Sequence, residues 1–419
     1  MQVFKFGGAS IKDVKAVKNI AAILATYKEE KLVVVVSAMG KTTNKLESIL
    51  HDYLSGKDYK LALNTLGAAH KDIIEELFEQ PAAVINEFNN LIHQLENTLI
   101  EHKNEPYNFL YDAIISMGER MSSLIIARYL KSEDFSICLL AAKDVIKTDN
   151  NFKEAQVDWK ATKEYMSPSV ASLHLKNKIV LSQGFIGGDD NGNYTTLGRE
   201  GSDFTAAIFA SCLHAESVTI WKDVPGILNA DPKKIKNAAL YNELSYQEAA
   251  EMTYYGASVI HPKTIKPLAN QMIPLYVRSF QTPLETGTLI HDCLVEHLTP
   301  CIIMKEQQCL ITFKVTDFTF INEHNLSKIF QALSQQRIKI NMMQNSAISF
   351  SICVNEEAYK LDPFMAHLKE EFDILYNNKL TLVTIKNYEE GIIDQLKLNK
   401  QVYIEQRTRK NFQMVVSDD

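Results

Sequence analysis

Leu32 to Ser37 reads LVVVVS, an apolar, mostly β-branched run without the alternation expected of a strand that has one face in water. Such a run has to be covered on both faces, which is the situation of a central strand in a parallel sheet with helices on either side. Parallel neighbours need long crossovers, usually helical, so the flanking sequence should alternate between strand and helix. It does. Gln2 to Phe6 reads as a short buried strand, followed by a helix from about Lys12 to Tyr27. Residues from about Leu46 to His102 are predominantly helical, with recurring apolar positions such as Ile73, Ile74 and Leu77, and later Val84, Phe88, Leu91 and Leu95. Lys178 to Ser182 and Ser217 to Trp221 read as further strands, and Ser245 to Tyr255 as a further helix.

Ligands of open α/β sheets bind at the carboxyl ends of the strands. Here those exits are rich in glycine, hydroxyls and cations. Lys5-Phe6-Gly7-Gly8-Ala9-Ser10 leaves the first strand, and Ala38-Met39-Gly40-Lys41-Thr42-Thr43-Asn44 leaves the valine run. Thr195-Thr196-Leu197-Gly198-Arg199-Glu200-Gly201-Ser202-Asp203 precedes an apolar helical segment, Phe204 to His214, after a hairpin-like DDNGNY (Asp189 to Tyr194). A helix start offers free N–H groups and a partial positive charge, glycine lets the backbone come close, and Arg199 offers a planar fork, so these turns suit an anion such as phosphate. Taken singly, each also has a plainer reading. Lys5 is either a phosphate ligand or a surface lysine beside a tight turn. Glu119 in Ser116 to Ser123 either holds an ammonium group or is an acid favoured by the macrodipole at a helix start. Asp223 is either a ligand of ribose or of a metal-bound phosphate, or a turn-forming residue. His261 reads as a packed turn histidine.

The length of 419 residues and 46% hydrophobic composition call for two or three units. A formal charge of −7 opposes a strongly electrostatic nucleic-acid binder, which leaves small molecules as the expected partners. The start, MQVFKFGGASIKD, has no signal-peptide pattern and no stretch approaches a membrane span, so the cytoplasm is the expected location. Six cysteines without C-x-x-C spacing point to reduced thiols and no structural zinc. Near Thr288 to Pro300 the pattern shifts to short units: strand Leu310 to Val315, helix Asn325 to Gln336, strands Ile338 to Met343 and Ala347 to Val354, helix Tyr359 to Leu368. These make a small α+β domain. Leu380 to Lys386 then resembles the start of a second copy, with only Gln401 to Gln406 and Phe412 to Val416 following, so any repeat is incomplete.

Taken together, KFGGAS (Lys5 to Ser10), SMGERMSS (Ser116 to Ser123), QGFIGG (Gln183 to Gly188), TTLGREGSDFTA (Thr195 to Ala206), WKDVPGILNADP (Trp221 to Pro232) and GASVIHP (Gly256 to Pro262) resemble the aspartate kinases of the amino acid kinase superfamily, in the family's order. The resemblance implies a three-layer α/β sandwich with a mainly parallel central sheet over residues 1–293. An ACT-like α+β regulatory region would follow over 300–419, its second unit incomplete. No G-x-G-x-x-G unit follows, so a fused homoserine dehydrogenase is not expected. The implied reaction is transfer of the γ-phosphoryl group of ATP, with Mg²⁺, to the β-carboxylate of L-aspartate, which is the first step towards lysine, threonine and methionine.

By the same resemblance Lys5, Gly7, Gly8 and Ser10 hold the phosphoryl group, and Thr43, Glu119, Arg199 and Ser202 contact aspartate. Asp203 organises the catalytic groups, and Lys222, Asp223, Gly226, Lys233, Ser258 and Lys263 lie along the nucleotide. No dedicated protein metal site is implied. Several positions depart from the family pattern. Glu200 replaces the middle glycine of GRGGSD, and Leu228 stands where an aromatic residue often covers the nucleotide. Lys222 and Lys233 stand for threonine and arginine, and Ser258 for a frequent lysine whose charge Lys263 would have to supply. The rival readings are a glutamate or N-acetylglutamate kinase of the same superfamily and a non-catalytic amino-acid sensor. The resemblance also implies pairing into a homodimer or higher oligomer through the C-terminal region. Effectors of that family meet a glycine-bearing turn after the first ACT strand; Thr316 to Asn325 has no glycine and carries Asp317 and Glu323, so feedback by lysine or threonine is expected to be weak, altered or absent.

Overall fold

The computed structural model describes residues 1–257, 260–295, 299–315 and 320–418, and the chain divides into two compact units. The first comprises 1–227, 240–250 and the segment up to Val295; the second comprises 228–239, 251–258 and the chain from 296 onward.

Over the first part of the chain the order is β1 (Gln2–Phe6), a 3-10 turn (Gly8–Ile11), α1 (Val14–Ala25), β2 (Leu32–Val36), α2 (Thr42–Leu54), α3 (Lys60–Leu77), α4 (Ala82–Glu101), α5 (Tyr107–Ile115), α6 (Met117–Ser132), β3 (Ile137–Leu140), α7 (Ala142–Val145), α8 (Trp159–Leu173), β4 (Ile179–Gln183), β5 (Ile186–Gly188), β6 (Tyr194–Thr196), α9 (Gly201–Leu213), β7 (Ser217–Lys222), β8 (Glu243–Ser245), α10 (Tyr246–Tyr255), α11 (Pro262–Ala269), β9 (Leu275–Ser279) and β10 (Thr288–His291). Eight strands form one sheet in the order β3-β4-β2-β1-β7-β9-β10-β8. All neighbours are parallel except β9 and β10. All five residues of β2 are buried, as the unbroken valine run requires.

The two faces of β1 carry different chemistry because side chains alternate along a strand. Phe4 and Phe6 enter a core with Trp221 and apolar residues of α1 to α6, where Phe6 stacks on Trp221 at 6.0 Å. Lys5 points to the opposite face, where α9 packs on β1, β2 and β7. The result is helices, sheet, helices. From β1 the chain passes to β2, then to the edge at β3, then to β4 between β3 and β2, and later places β7 on the other side of β1. A crevice opens at the strand ends at such a switch point.

The second unit carries an antiparallel sheet. Its elements are β11 (Cys301–Val315), α12 (Glu323–Gln335), β12 (Ile340–Asn345), β13 (Ser349–Asn355), α13 (Ala358–Leu368), β14 (Phe372–Lys386), α14 (Glu390–Lys397), β15 (Lys400–Arg407) and β16 (Asn411–Asp418), with strand order β12-β13-β11-β14-β16-β15. The strands expected at Leu310 and Leu380 begin much earlier, at Cys301 and Phe372, and pair along almost their whole length. Polar residues Lys305 to Gln308 mask this in the sequence. They sit at a register shift, with Gln307 at φ 55°, so the ladder absorbs the break in alternation. The far halves of β11 and β14 share one core with α12 and α13, centred on Phe313, Phe364 and Phe372. Their near halves share another with β16 and the single short helix α14, including Val383, Ile393 and Phe412. The last strands therefore close a smaller second half of the sheet.

Candidate active site

Four turns converge at the carboxyl end of the parallel sheet. A pocket of about 610 Å³ there is lined by Lys5, Gly8, Ser37, Ala38, Gly40, Thr43, Glu119, Lys222 and the stretch from Gly198 to Asp203, among others. Thr43, Glu119 and Ser202 all belong to the first turn of a helix (α2, α6 and α9), so free N–H groups and positive helix ends face the same space. That is the layout for binding several anionic groups at once.

Close approach of backbones fixes two glycines. A Cβ on Gly8 would lie 2.9 Å from the carbonyl oxygen of Ala38, and one on Gly184 would lie 2.5 Å from the Cβ of Ser202. The first keeps the β1 and β2 exits in contact, and the second lets the start of α9 approach β4. Glu200 has φ 53°, a left-handed conformation that glycine adopts freely and a side chain adopts at a cost.

Lys5 Nζ lies 2.6 Å from Asp203 Oδ1, and Lys222 Nζ lies 3.4 Å from Asp203 Oδ2. Burial alone would raise the Asp203 carboxyl; the charges and hydrogen bonds of the two ammoniums outweigh it and hold the group below its ordinary value. Glu119 is the opposite case. It is buried, and although the Ala38 N–H donates to its Oε1 at 3.2 Å and Lys5 lies near, desolvation wins and pushes its carboxyl up to about 8. Its Oε2 is buried without a hydrogen-bond partner, as is Oε2 of Glu200. A buried carboxylate oxygen without a donor is costly.

The other expected residues are distributed as follows. Gly7 caps the 3-10 turn. Ser10 is buried and its hydroxyl donates to the Trp221 carbonyl at 3.3 Å, fastening that turn to β7. Asp223 and Gly226 lie on the turn that leaves β7, outside the pocket lining. Lys263 does not join Lys5: its Nζ donates to the Leu197 carbonyl at 3.1 Å, beside a neighbouring pocket of about 680 Å³ that Arg199 also lines. His261 Nδ1 accepts from the Lys263 N–H and caps α11, in keeping with a packed turn role. Lys233 belongs to the second unit, where its N–H donates to Asp231 Oδ1 at 2.9 Å, and Ser258 lies outside the described residues.

Asp112 was missed in the sequence. It is fully buried and accepts from the Thr196 N–H and hydroxyl, both at 2.7 Å, and from the Lys153 N–H at 3.0 Å. It thereby holds β6, from which the Arg199 turn departs. The available signal was a lone carboxylate within the apolar segment Leu110 to Ile115. Away from the pocket, Glu243, His291 and Cys293 hold one potential ligand atom each within 4.8 Å of one another, with the imidazole Nε2 already paired to the Glu243 carboxylate.

Residues 1–279 match the amino acid kinase family. Lysine-sensitive aspartokinase 3 of Escherichia coli is 31% identical over 356 residues, covering 84% of this chain and 78% of that protein. Two crystal structures of E. coli aspartokinase III superpose with a TM-score of 0.83 over 99% of this chain. The one with lysine and aspartate (T-state) is 26% identical and covered to 95%; the one with aspartate and ADP (R-state) is 25% identical and covered to 96%.

Proposed function

The chain belongs to the amino acid kinase family, and we propose that it transfers the γ-phosphoryl group of ATP to the β-carboxylate of L-aspartate, giving 4-phospho-L-aspartate. The observation that carries an α-amino acid as the acceptor is the pairing, in one pocket, of a Lys5, Asp203 and Lys222 ion cluster with a buried, half-satisfied Glu119. The first suits phosphate and the second suits a free α-ammonium group. N-acetylglutamate has no ammonium to offer Glu119, and a mere sensor has no use for the cations.

The acceptor carboxylate has an ordinary pKa near ~3.9 and is already ionised at neutral pH, so its attack on phosphorus needs no general base. Accordingly, no histidine lines the pocket among the described residues. The obstacle is repulsion between anions. Lys5, the Gly7 and Gly8 turn and the start of α9 supply positive potential around the transferring group, and Asp203 fixes Lys5. Thr43, Ser202 and Arg199 hold the acid while Glu119 takes its ammonium. Asp223 and Gly226 lie along the nucleotide in this reading, with Lys233, Ser258 and Lys263 as further candidates. Mg²⁺ travels with nucleotide phosphates and needs only one or two protein carboxylates, a requirement that the unpartnered oxygen of Glu200 fits; it would supply charge neutralisation there.

The test is ATP turnover with hydroxylamine trapping of the acyl phosphate, run on aspartate, glutamate and N-acetylglutamate. Aspartate-dependent hydroxamate is expected. Preference for another acid supports a sister kinase, and acid-independent turnover or none at all removes the reading.

Glu119 predicts a pH signature. Its pKa of about 8 means that the empty site holds it mostly neutral at pH 7, whereas the substrate ammonium needs it ionised. Binding must therefore release a proton, and the aspartate KM falls by up to about tenfold per unit as the pH rises from about 6 towards 8, then levels off. Glu119→Gln is expected to have a raised KM with a flat profile. A wild-type KM that does not change between those pH values contradicts the assignment.

Residues 300–419 serve, on this reading, as an ACT-like region that pairs subunits through sheet edges, since β12 and β15 end the sheet unpaired among the described residues. Feedback by lysine or threonine is weak, altered or absent. Glu323 opens α12, where an effector carboxylate would be repelled, and α14 is the one helix of the smaller half among the described residues; the Thr316 to Thr319 part of the expected loop lies outside the described residues. Initial rates at subsaturating aspartate should not respond to micromolar lysine, threonine or methionine. No described helix is long and apolar enough to cross a membrane, and six free thiols favour the reducing cytoplasm as the working compartment.

A further inference from the structure

Asp203 is engaged by two lysines. One carboxylate faces two ammoniums at the floor of the pocket. The two lysines are not equivalent. Lys5 sits tightly, at 2.6 Å, with its side chain 9% exposed; Lys222 sits loosely, at 3.4 Å, with 20% exposed. A structural ion pair with Asp203 would need only the first.

The sheet register explains how both arrive there. Lys5 pairs with Ile220 across the parallel β1 and β7, and residues two apart on a strand share a face. Lys222 therefore emerges on the same face as Lys5, one pleat further towards the open end of the sheet, on the two strands that flank the switch point. Both meet α9 at Asp203, in its first turn.

We propose that Lys222 is a catalytic cation of the reaction, which leaves Asp203 for the terminal phosphoryl group of the nucleotide and stays on it during transfer, while Asp203 keeps Lys5 in place. The inference rests on the phosphotransfer reading given above and adds a residue that touches the reacting atoms. In the step itself the bond from the bridging β,γ oxygen to γ-phosphorus breaks, its electron pair staying on ADP, and a bond from the acceptor carboxylate oxygen to phosphorus forms. Lys222 neither gains nor loses a proton. It offsets the charge on the non-bridging oxygens, which is where fixed cations lower the barrier of phosphoryl transfer. Because Lys222 bonds only to the terminal group, ADP gives it nothing to hold and it returns to Asp203.

The experiment compares binding of ADP and of a non-hydrolysable ATP analogue to wild type, Lys222→Ala, Lys222→Met and Lys222→Arg, beside kcat for hydroxamate formation. The Ala and Met variants are expected to lose roughly tenfold in analogue affinity, with ADP affinity within about twofold of wild type, and on the order of 10²-fold in kcat; Arg, which keeps the charge, should restore most of the analogue preference. The Met variant keeps the bulk of the stem, so it reports on charge if the Ala variant fails to fold. An unchanged ratio of analogue to ADP affinity, or equal loss of both, overturns the proposal. The ratio does not depend on the acceptor. If wild type forms no hydroxamate from any acid and the ratio still shifts, the aspartate reading falls and the role of Lys222 on the terminal phosphate stands.

Discussion

Lys5→Ala is expected to lower kcat on the order of 10²-fold or more, with a much smaller change in the aspartate KM. The Lys5 ammonium is almost wholly desolvated, 2.6 Å from a buried carboxylate at the end of β1. A cation so held costs nothing to reorganise when charge builds on the transferring group, and with so little of it in contact with water it acts more strongly than a solvated one. Its removal also leaves Asp203 with Lys222 alone, so the carboxylate should draw that second cation inward and away from the nucleotide. The two losses share one carboxylate, and Lys5→Ala combined with Lys222→Ala should therefore be non-additive. Steady-state kinetics, with thermal melts to confirm folding, decide the matter. A kcat within about threefold of wild type is incompatible with a lysine acting on the transition state.

Arg199→Ala is expected to raise the aspartate KM on the order of 10²-fold while kcat at saturation changes far less. Arg199 is exposed at the pocket mouth, on a turn fixed from beneath by the grip of Asp112 on Thr196. A guanidinium fork binds a carboxylate through two charge-assisted hydrogen bonds, each worth about 1.5–3 kcal/mol, and this binding is felt equally before and during the reaction. Arg199→Lys should recover only part of it, because an ammonium cannot reproduce the paired geometry. A fall in kcat with KM unchanged would move Arg199 from the acceptor to the phosphoryl group. The same comparison on Asp112→Asn tests the support of the turn: a positioning role raises KM and is relieved at high aspartate.

Much of this arrangement was legible in the chain because it depends on short-range rules. The valine run at Leu32 to Val36 dictated a doubly covered strand, and β2 is buried throughout. The glycine turns with cations at Lys5 and Arg199 marked strand exits, and the turns of the first unit do meet at one end of one sheet. The long β11 and β14 were only half legible, since the polar stretch Lys305 to Gln308 breaks the alternation that identifies a strand, while the bulge that accommodates it exists only in the pairing.

Sequence alone determined, then, which residues face into the parallel sheet and which turns leave its carboxyl edge, because side-chain alternation and turn chemistry are settled within a few neighbours. Only the tertiary structure decided what those residues meet. It sent Lys263 to the Leu197 carbonyl and brought Lys222 to Asp203. It gave Glu119 a raised carboxyl by burying it against the exit of β2, and gave Asp112 its place under the Arg199 turn. Charge pairing and desolvation depend on groups far apart in the chain, and the strand order that puts β7 beside β1 is what joins them.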